Sequence, residues 1–340
     1  MKERKLKMRK ISTYLLAGLM TCMLAGCANE TAPTENPSTA DHVYKIGLAQ
    51  IIEHTSLNTI RESMLAELAV LGYKDGENIQ VDAKNAQGEQ STLNSIMQTF
   101  AGDNKDLIVA IATPTAAAAA PYAENIPVIF SAVSDPVGAG LITDPNKPDK
   151  NITGTSDEIQ VAQILDLART IDPELKTLGY IYNAGEANSV SNLDKVKAYC
   201  EENDLTLVEA TISAAAEIQQ TAQVLASKVD AIFAPNDNTI ASSIDALNMA
   251  AQQVQCPVYV GADSMVQDGG FASIGINYED LGKETARMIA KVIEGSDISE
   301  IPVKVFDTNL YTYFNQTTAD ALGITIPDAL KNSDTTVIFE

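Results

Sequence analysis

Tryptophan is absent from the 340-residue sequence, histidine occurs only twice and cysteine only four times. Histidine and cysteine are common ligands of zinc and other transition metals, so the chain offers little material for a metal site. Basic residues are also scarce, because 23 Lys and Arg stand against 45 Asp and Glu, a net charge of −22. So acidic a surface repels phosphate backbones. We therefore expect neither a metal nor a nucleic-acid partner.

Long apolar runs are missing too, except at the N-terminus. The first ten residues, MKERKLKMRK, are strongly basic and precede the nearly uncharged run ISTYLLAGLMTCMLAGC, which ends at Cys27. A basic stretch followed by a short apolar one is typical of a secretory signal, and the run is too short for a comfortable membrane span. Its last letters, LAGC, resemble the bacterial lipoprotein box, in which the cysteine is acylated. The alternative is a cleaved signal with an incidental cysteine.

This N-terminal pattern predicts a signal peptide over residues 1–26, a lipid on Cys27 and a flexible polar tether over residues 27–43. Acyl chains would hold the protein on the extracytoplasmic side of the cell membrane. Cys200 and Cys256 remain in the globular part, too far apart in sequence for a metal-binding motif. We expect both to be buried, with a disulfide between them as the alternative.

From residue 43 onward, short apolar runs alternate with longer amphipathic ones. YKIGLAQII (44–52), DLIVAIATP (106–114) and IPVIFSAV (126–133) have strand character, whereas LNTIRESMLAELAVLGY (57–73) has helical periodicity. The alternation repeats after NITGTS (151–156). Strands separated by helices of ten or more residues predict parallel sheets covered on both faces. The expected fold class is therefore α/β, in two halves, as the length of the chain also suggests.

Polar segments follow the predicted strands, where parallel α/β proteins bind ligands. They include QIIEHTS, TPT and SAVSDPVGAG in the first half, and NAGEANS, PNDNT and ADS in the second. We expect the two sets to face each other across a cleft. The candidate ligand-binding residues are Gln50, Ile51, His54, Thr113, Pro114, Thr115, Ser131 and Asp135 in the first half, and Tyr182, Asn183, Glu186, Asn188, Ser189, Asn236, Asp237, Asn238 and Asp263 in the second.

Signatures of catalysis and of cofactor binding are not found in the sequence. It has no phosphate-binding loop, no HExxH and no GxSxG motif, and GAGLIT (138–143) lacks the third glycine of a dinucleotide fingerprint. We expect no cofactor and no enzyme activity. The alternative is an anchored hydrolase in which His54 activates Ser56 or Ser131.

Several stretches resemble a known protein family. They are LGYKDGENIQVDAKNAQGEQSTLNSI, LIVAIATPTAAAAA, PVIFSAVSDPVGAGL, NITGTSD, YNAGEANSV, APNDNTIASS and LGITIP. Together with the lipobox, they are similar to the solute-binding lipoproteins of ABC importers with the type I periplasmic-binding-protein fold, in the subfamily that binds aromatic amino acids such as tryptophan and phenylalanine. The resemblance covers residues 44 to 330.

The resemblance implies two Rossmann-like lobes joined by a three-segment hinge, with crossings near Thr155, near Ser273 and near residues 300–310. Lobe 1 would comprise residues 44–155 and 274–300, and lobe 2 residues 156–273 and 301–340. The protein would be a monomer that captures an amino acid and delivers it to a permease driven by a separate ATPase subunit. A nucleoside or sugar as the solute, or a sensor module that signals closure to another protein, are the alternatives.

Under this resemblance, the candidate residues acquire roles toward an amino acid. Thr113 and Thr115, at a predicted helix start with Pro114, would hold the carboxylate, unless they are an ordinary helix cap. The ammonium partner would be Asp237, followed in preference by Asp263 and Glu186. Tyr182 and Ile51 would contact the side chain, with a core position as the alternative for Tyr182. Asn188, Ser189, Asn236 and Asn238 could instead be cap or turn residues.

Overall fold

The computed structural model describes residues 42–340, and the predicted signal peptide, Cys27 and all but the end of the tether lie outside the described residues. Within residues 42–340, no helix is long and apolar enough to cross a membrane. The described residues form one compact unit that contains two sheets. Cys200 and Cys256 are both buried, as expected, and both are free thiols, which excludes the alternative of a disulfide between them.

The first sheet has six strands, all parallel, in the order β11-β5-β4-β3-β1-β2. Its strands are β1 (Tyr44–Gln50), β2 (Ile79–Asn85), β3 (Leu107–Ile111), β4 (Val128–Ser131), β5 (Ile152–Ser156) and β11 (Lys304–Val305). The helices of this half are α1 (Thr55–Val70), α2 (Gln90–Gly102), α3 (Thr113–Ala119) and α10 (Tyr278–Ile293). We call this half lobe 1.

The second sheet has seven strands in the order β13-β12-β10-β9-β8-β6-β7, and only β10 and β12 pair antiparallel. Its strands are β6 (Thr177–Asn183), β7 (Thr206–Ile212), β8 (Ala231–Ala234), β9 (Val258–Val260), β10 (Ala272–Gly275), β12 (Tyr311–Asn315) and β13 (Thr336–Phe339). The helices of this half, which we call lobe 2, are α4 (Val161–Ile171), α5 (Ala187–Glu202), α6 (Ile218–Ala226), α7 (Asn238–Ala241), α8 (Ile244–Gln252), α9 (Asp263–Gln267), α11 (Gln316–Leu322) and α12 (Asp328–Lys331).

The central strands are apolar because helices cover both faces of each sheet. Every residue of β3, β4 and β8 is buried, as is typical of parallel sheets. In lobe 1, α1 and α10 pack so closely that a Cβ atom added to Gly282 would lie 2.6 Å from the backbone oxygen of Ile60. Glycine at this position therefore permits the closest approach of the two helices.

The chain passes between the two sheets three times, which confirms the predicted three-segment hinge. It leaves lobe 1 after β5, returns after β10 through α10, and leaves again after β11. The short strand β11 lies within residues 301–340, which the sequence assigns to lobe 2, but it pairs with β5 in the first sheet. At this strand the predicted boundary is wrong, because the last crossing comes after β11 and not before it.

Candidate functional site

A small cavity lies between the lobes, where the carboxyl ends of both sets of strands meet. Both lobes contribute lining residues. Those of lobe 1 and its hinge are His54, Ser56, Leu57, Ala112, Thr113, Ala132, Ser134, Asp157 and Tyr278. Those of lobe 2 are Asn188, Asn236, Asn238, Ala241 and Met265. Small-molecule sites occur preferentially at such interfaces between two parts of a protein.

Five of the residues selected from the sequence line this cavity. His54 follows β1 and Thr113 begins α3 in lobe 1, whereas Asn236 and Asn238 follow β8 and Asn188 lies in α5 of lobe 2. The carboxyl ends of the strands place them there, as expected for parallel sheets. These five side chains therefore face one another across the cleft, as the sequence predicts for the polar loops of the two halves.

Among residues 42–340, Asp157 is the one carboxylate in the cavity wall, and the sequence analysis did not select it. It follows the hinge strand β5 and accepts hydrogen bonds from Ser134 Oγ (2.9 Å), Asn236 Nδ2 (2.6 Å) and the Tyr278 hydroxyl (2.8 Å). Burial raises the pKa of Asp157 to about 6, against the opposing effect of these bonds. The signal that could have identified it was its place in NITGTSD, directly after a strand that leads out of lobe 1.

Direct hydrogen bonds between the lobes show that the cleft is closed. Asn236 of lobe 2 donates to Ser134 and Asp157. His54 of lobe 1 pairs with Asn238 at 3.3 Å, and farther from the cavity Ser191 of α5 donates to Asp135 at 2.8 Å. Asp135, a predicted ligand residue, thus contacts the opposite lobe and does not line the cavity.

Four buried polar atoms on cavity-lining residues have no hydrogen-bond partner within the described part of the chain. They are His54 Nδ1, Thr113 Oγ1, Asn188 Oδ1 and Asn236 Oδ1. Buried polar atoms are paired in the great majority of cases, because each unpaired one costs about 1–3 kcal/mol. A group of such atoms around one cavity indicates a site that a polar ligand completes.

Two alanines in the cavity wall have backbone angles that are unusual for any residue but glycine. Ala112, between β3 and α3, has a φ of 77°, and Ala132, directly after β4, has a φ of 57°. Each such conformation costs about 1–3 kcal/mol and is found mainly at functional sites. Both lie at the carboxyl ends of neighbouring strands, where they shape the lobe 1 side of the cavity.

Asp237, the first choice for an ammonium partner, does not line the cavity. Its carboxylate accepts hydrogen bonds from the backbone N–H of Asn183 (2.7 Å), the Ser189 hydroxyl (2.7 Å) and the backbone N–H of Ile240 (3.0 Å). It therefore caps α7 and joins β6 to α5 within lobe 2. Burial, and then the nearby charge of Glu186, raise the pKa of Asp237 well above its ordinary value.

The other two carboxylates proposed for the ammonium are also outside the cavity wall. Glu186 accepts hydrogen bonds from the backbone and side chains of Asn238 and Thr239. Asp263, at the start of α9, accepts from the backbone N–H groups of Ser264 and Tyr278. Burial raises the pKa of Asp263 to about 6.

The remaining candidates have positions within the lobes or on the outer surface. Gln50 bonds Asn58, Arg61 and the backbone of Ile52, and Ile51 is part of the lobe 1 core. Ser131 bonds the hydroxyls of Thr155 and Thr285, and Thr115 is buried inside α3. Pro114 faces an outer groove. Tyr182 packs on Tyr180 in the lobe 2 core, which is the alternative given for it, and Asn183 and Ser189 contact Asp237.

The arrangement required of a serine hydrolase is not assembled in the described residues. His54 Nε2 pairs with Asn238, Ser56 Oγ with Ser264 Oγ, and Ser131 with the two threonines of the hinge. Neither serine hydroxyl is bonded to the imidazole, as a nucleophile and its base would be. Among residues 42–340 there is also no group of three or more His, Cys, Asp and Glu side chains that could hold a metal ion.

Comparison with known proteins gives consistent matches over nearly the whole globular part. The family described as ABC transporter substrate binding protein matches residues 45–338. A tyrosine-binding protein of Clostridioides difficile (strain R20291) is 38% identical over 307 residues, which is 89% of each protein. A crystal structure of an ABC domain from Streptococcus pneumonia in complex with L-Trp is 38% identical, has a TM-score of 0.82, and covers 87% of this chain and 100% of that one.

A further solved structure differs more from the present one. The ligand-free, open structure of a substrate-binding protein from Clostridium difficile is also 38% identical and covers 88% of this chain and 100% of that one, but its TM-score is only 0.66. The present structure is thus more similar to the L-Trp complex than to this open structure, at nearly equal identity and coverage. This agrees with its direct lobe-to-lobe hydrogen bonds.

Proposed function

This chain belongs to the family of ABC transporter substrate-binding proteins, and on that basis we propose that it captures an α-amino acid with an aromatic side chain between its lobes. The proposal includes delivery of the amino acid to a membrane permease that is driven by a separate ATPase subunit. The two relatives described above, one a tyrosine-binding protein and one in complex with L-Trp, support an aromatic amino acid as the solute.

The observation that carries the proposal is the cluster of hydrogen-bond acceptors around Asp157. Its carboxylate lines the cavity together with the unpaired oxygens of Asn188 and Asn236. A buried ammonium must be paired with a charge, since an unpaired buried charge is very costly. We therefore assign the ammonium to Asp157, which lines the cavity, in place of Asp237, which does not.

The carboxylate of the solute fits the lobe 1 side of the cavity. There the hydroxyl of Thr113 is buried and unpaired, and the residue stands at the N-terminus of α3. N–H groups at a helix N-terminus and the helix dipole attract anions. This assignment retains the predicted role of Thr113, whereas Thr115 is buried but does not line the cavity.

The side chain of the solute has an apolar surface to contact. Leu57 of α1 and Met265 of α9 approach from opposite lobes, with Ala112, Ala132 and Ala241 around them. Methionine adapts to irregular shapes and makes favourable sulfur–aromatic contacts. These residues replace Ile51 and Tyr182, which the sequence analysis had assigned to this contact.

The proposal also includes the cellular context. A lipid on Cys27 would anchor the protein to the cell membrane, with the globular part on the extracytoplasmic side and acting as a monomer. The permease and its ATPase would be separate chains, because this sequence contains no phosphate-binding loop.

Calorimetric titration of Asp157→Asn and Asp237→Asn against the best ligand tests the proposal. The ligand is first chosen from a thermal-shift panel of the twenty amino acids with nucleosides and sugars, since a bound ligand raises the melting temperature. Asp157→Asn should weaken binding about thirtyfold to several thousandfold, as expected for loss of one partner of a buried charge pair. Asp237→Asn should lower the melting temperature but change affinity far less.

Two outcomes would contradict the proposal. If only nucleosides or sugars shift the melting temperature, the solute is not an amino acid. If Asp237→Asn abolishes binding while Asp157→Asn stays within twofold of the wild type, the ammonium is held from lobe 2 as first predicted from the sequence.

A further inference from the structure

Glu186 lies behind the cavity wall and acts only as a hydrogen-bond acceptor. The backbone N–H of Asn238 donates to Oε2 and that of Thr239 to Oε1, both at 3.0 Å, and the Thr239 hydroxyl also donates to Oε1. A backbone N–H points at each oxygen, so both oxygens of Glu186 act as acceptors in the structure. The Glu186 side chain is buried and does not line the cavity.

This carboxylate decides which way the Asn238 side chain faces. The amide Nδ2 of Asn238 donates to Glu186 Oε2 at 2.6 Å. Only the NH₂ end of an amide can face an acceptor, so the oxygen Oδ1 must face the other way. In the structure, Oδ1 of Asn238 faces His54 across the cleft.

The orientation of Asn238 in turn fixes the tautomer of His54. Since Asn238 Oδ1 can only accept, the His54 Nε2 atom that lies 3.3 Å from it must carry the proton. Burial lowers the pKa of His54 to about 4, so the imidazole is neutral near pH 7. The other ring atom, Nδ1, is then a bare acceptor, and it is buried without a partner on a residue that lines the cavity.

The cavity wall has one hydrogen-bond acceptor more than an ammonium group can pair. Asp157, Asn188 Oδ1 and Asn236 Oδ1 are three acceptors, since the NH₂ groups of both asparagines are already used as donors. They match the three N–H donors of an ammonium group. His54 Nδ1 is a fourth acceptor and requires a second donor elsewhere on the solute.

From this geometry we propose that Glu186 is a positioning residue which, through Asn238, presents His54 Nδ1 as an acceptor for a donor on the side chain of the solute. The inference rests on the function proposed above. Such an acceptor favours binding of a side chain with a phenol O–H or an indole N–H over one with an unsubstituted phenyl ring. A site built to bond such a group rejects the analogue that lacks it, because its own polar atom is then left unpaired.

The first test measures the affinity of the whole chain for L-tyrosine, L-tryptophan and L-phenylalanine by calorimetry. The wild type should bind tyrosine or tryptophan about 5- to 150-fold more tightly than phenylalanine. In Glu186→Gln the ratio should fall to about twofold, since glutamine can donate to Asn238 and no longer fixes its orientation. Glu217→Gln is the matched control, because Glu217 also accepts from a backbone N–H and a hydroxyl but lies on the surface. It should keep the wild-type ratio.

The second test observes the tautomer directly and does not depend on a variant that folds. The chain has only two histidines, His42 and His54, so ¹⁵N-histidine NMR gives two sets of ring signals, which His42→Gln assigns. The proposal requires the Nε2–H tautomer of His54 at neutral pH in the liganded protein.

The results separate the two proposals from each other. If no amino acid binds, the proposed function fails. If amino acids bind but phenylalanine equals tyrosine and tryptophan in the wild type, or His54 carries its proton on Nδ1, the role of Glu186 is overturned while the proposed function stands. An unchanged selectivity in a folded Glu186→Gln variant would overturn it as well.

Discussion

Asp157 and Asp237 occupy similar positions after a β-strand but make different contacts. Both are buried and both follow the carboxyl end of a β-strand. Asp237 accepts hydrogen bonds only from lobe 2, whereas Asp157 accepts them from both lobes. The sequence predicts the position of both residues relative to their strands. It does not show which of the two carboxylates faces the cavity between the lobes.

The pKa of Asp157 predicts that affinity depends on pH. Burial raises this pKa to about 6, and an ammonium binds only the ionised carboxylate. Affinity should therefore fall as the pH is lowered, by at most about tenfold per pH unit, because a proton competes with the ligand for this carboxylate. Calorimetric titrations at pH 7.5, 6 and 5 measure this slope.

His54 acts in the same direction, because burial in the closed cleft lowers its pKa from 6.5 to about 4. A proton thus binds the open form more readily and opposes closure as the pH falls from 6.5 toward 4. In Asp157→Asn only the His54 contribution should remain, which separates the two groups. Affinity that is unchanged between pH 7.5 and pH 5 would contradict both assignments.

At the scale of elements, the contact of α1 with α10 depends on a single glycine. Alanine at position 282 would bring a methyl group against the backbone oxygen of Ile60 and the hydroxyl of Ser63. We expect Gly282→Ala to destabilise the fold by about 1–3 kcal/mol, the usual cost of overpacking, as measured by urea unfolding. Gly102→Ala, at the end of α2 with open space around it, is the control and should be neutral or slightly stabilising. Equal effects of the two changes would show that α10 can move away from α1.

Most of the regular elements could be predicted from the sequence, because a buried parallel strand and an amphipathic helix have distinct apolar patterns. The stretch IASSIDALNMAAQQ has the apolar spacing of a single helix, but the structure divides it into α7 and α8 around Ser242 and Ser243. Strands β11 and β13 are hard to predict because they are short and none of their residues is fully buried.

The cavity itself was harder to predict than the elements around it. Five residues of the predicted loops line it because strand ends in parallel sheets converge, but Ser134, Met265 and Tyr278 are not among the residues selected from the sequence. They come from a loop, a short helix and the start of α10, and only the three chain crossings bring them together. Such contacts depend on the angle between the lobes, on which sequence periodicity carries no information.

At the scale of the whole molecule, the lipid anchor is a separate prediction that rests on LAGC. Replacing Cys27 with Ser removes the acylated sulfur, so the variant should move from the membrane to the soluble fraction. A single acyl chain binds membranes weakly, whereas two or more hold a protein firmly. Fractionation with a high-salt wash is the measurement, and Cys22→Ser, in the same segment, is the control that should stay on the membrane. A Cys27→Ser protein that remains there after the wash would contradict the lipoprotein assignment.

The unpaired acceptors of the cavity wall also bear on the fidelity of transport. A carrier that closes empty has the same outer shape as a loaded one, and a permease that recognises shape alone would then consume ATP without moving a solute. Closure without a solute leaves His54 Nδ1, Asn188 Oδ1 and Asn236 Oδ1 buried and unpaired, at about 1–3 kcal/mol each. Under the proposed function, the atoms that recognise the solute would therefore also favour the open form of the empty protein, and in this way they would protect the importer from futile cycles.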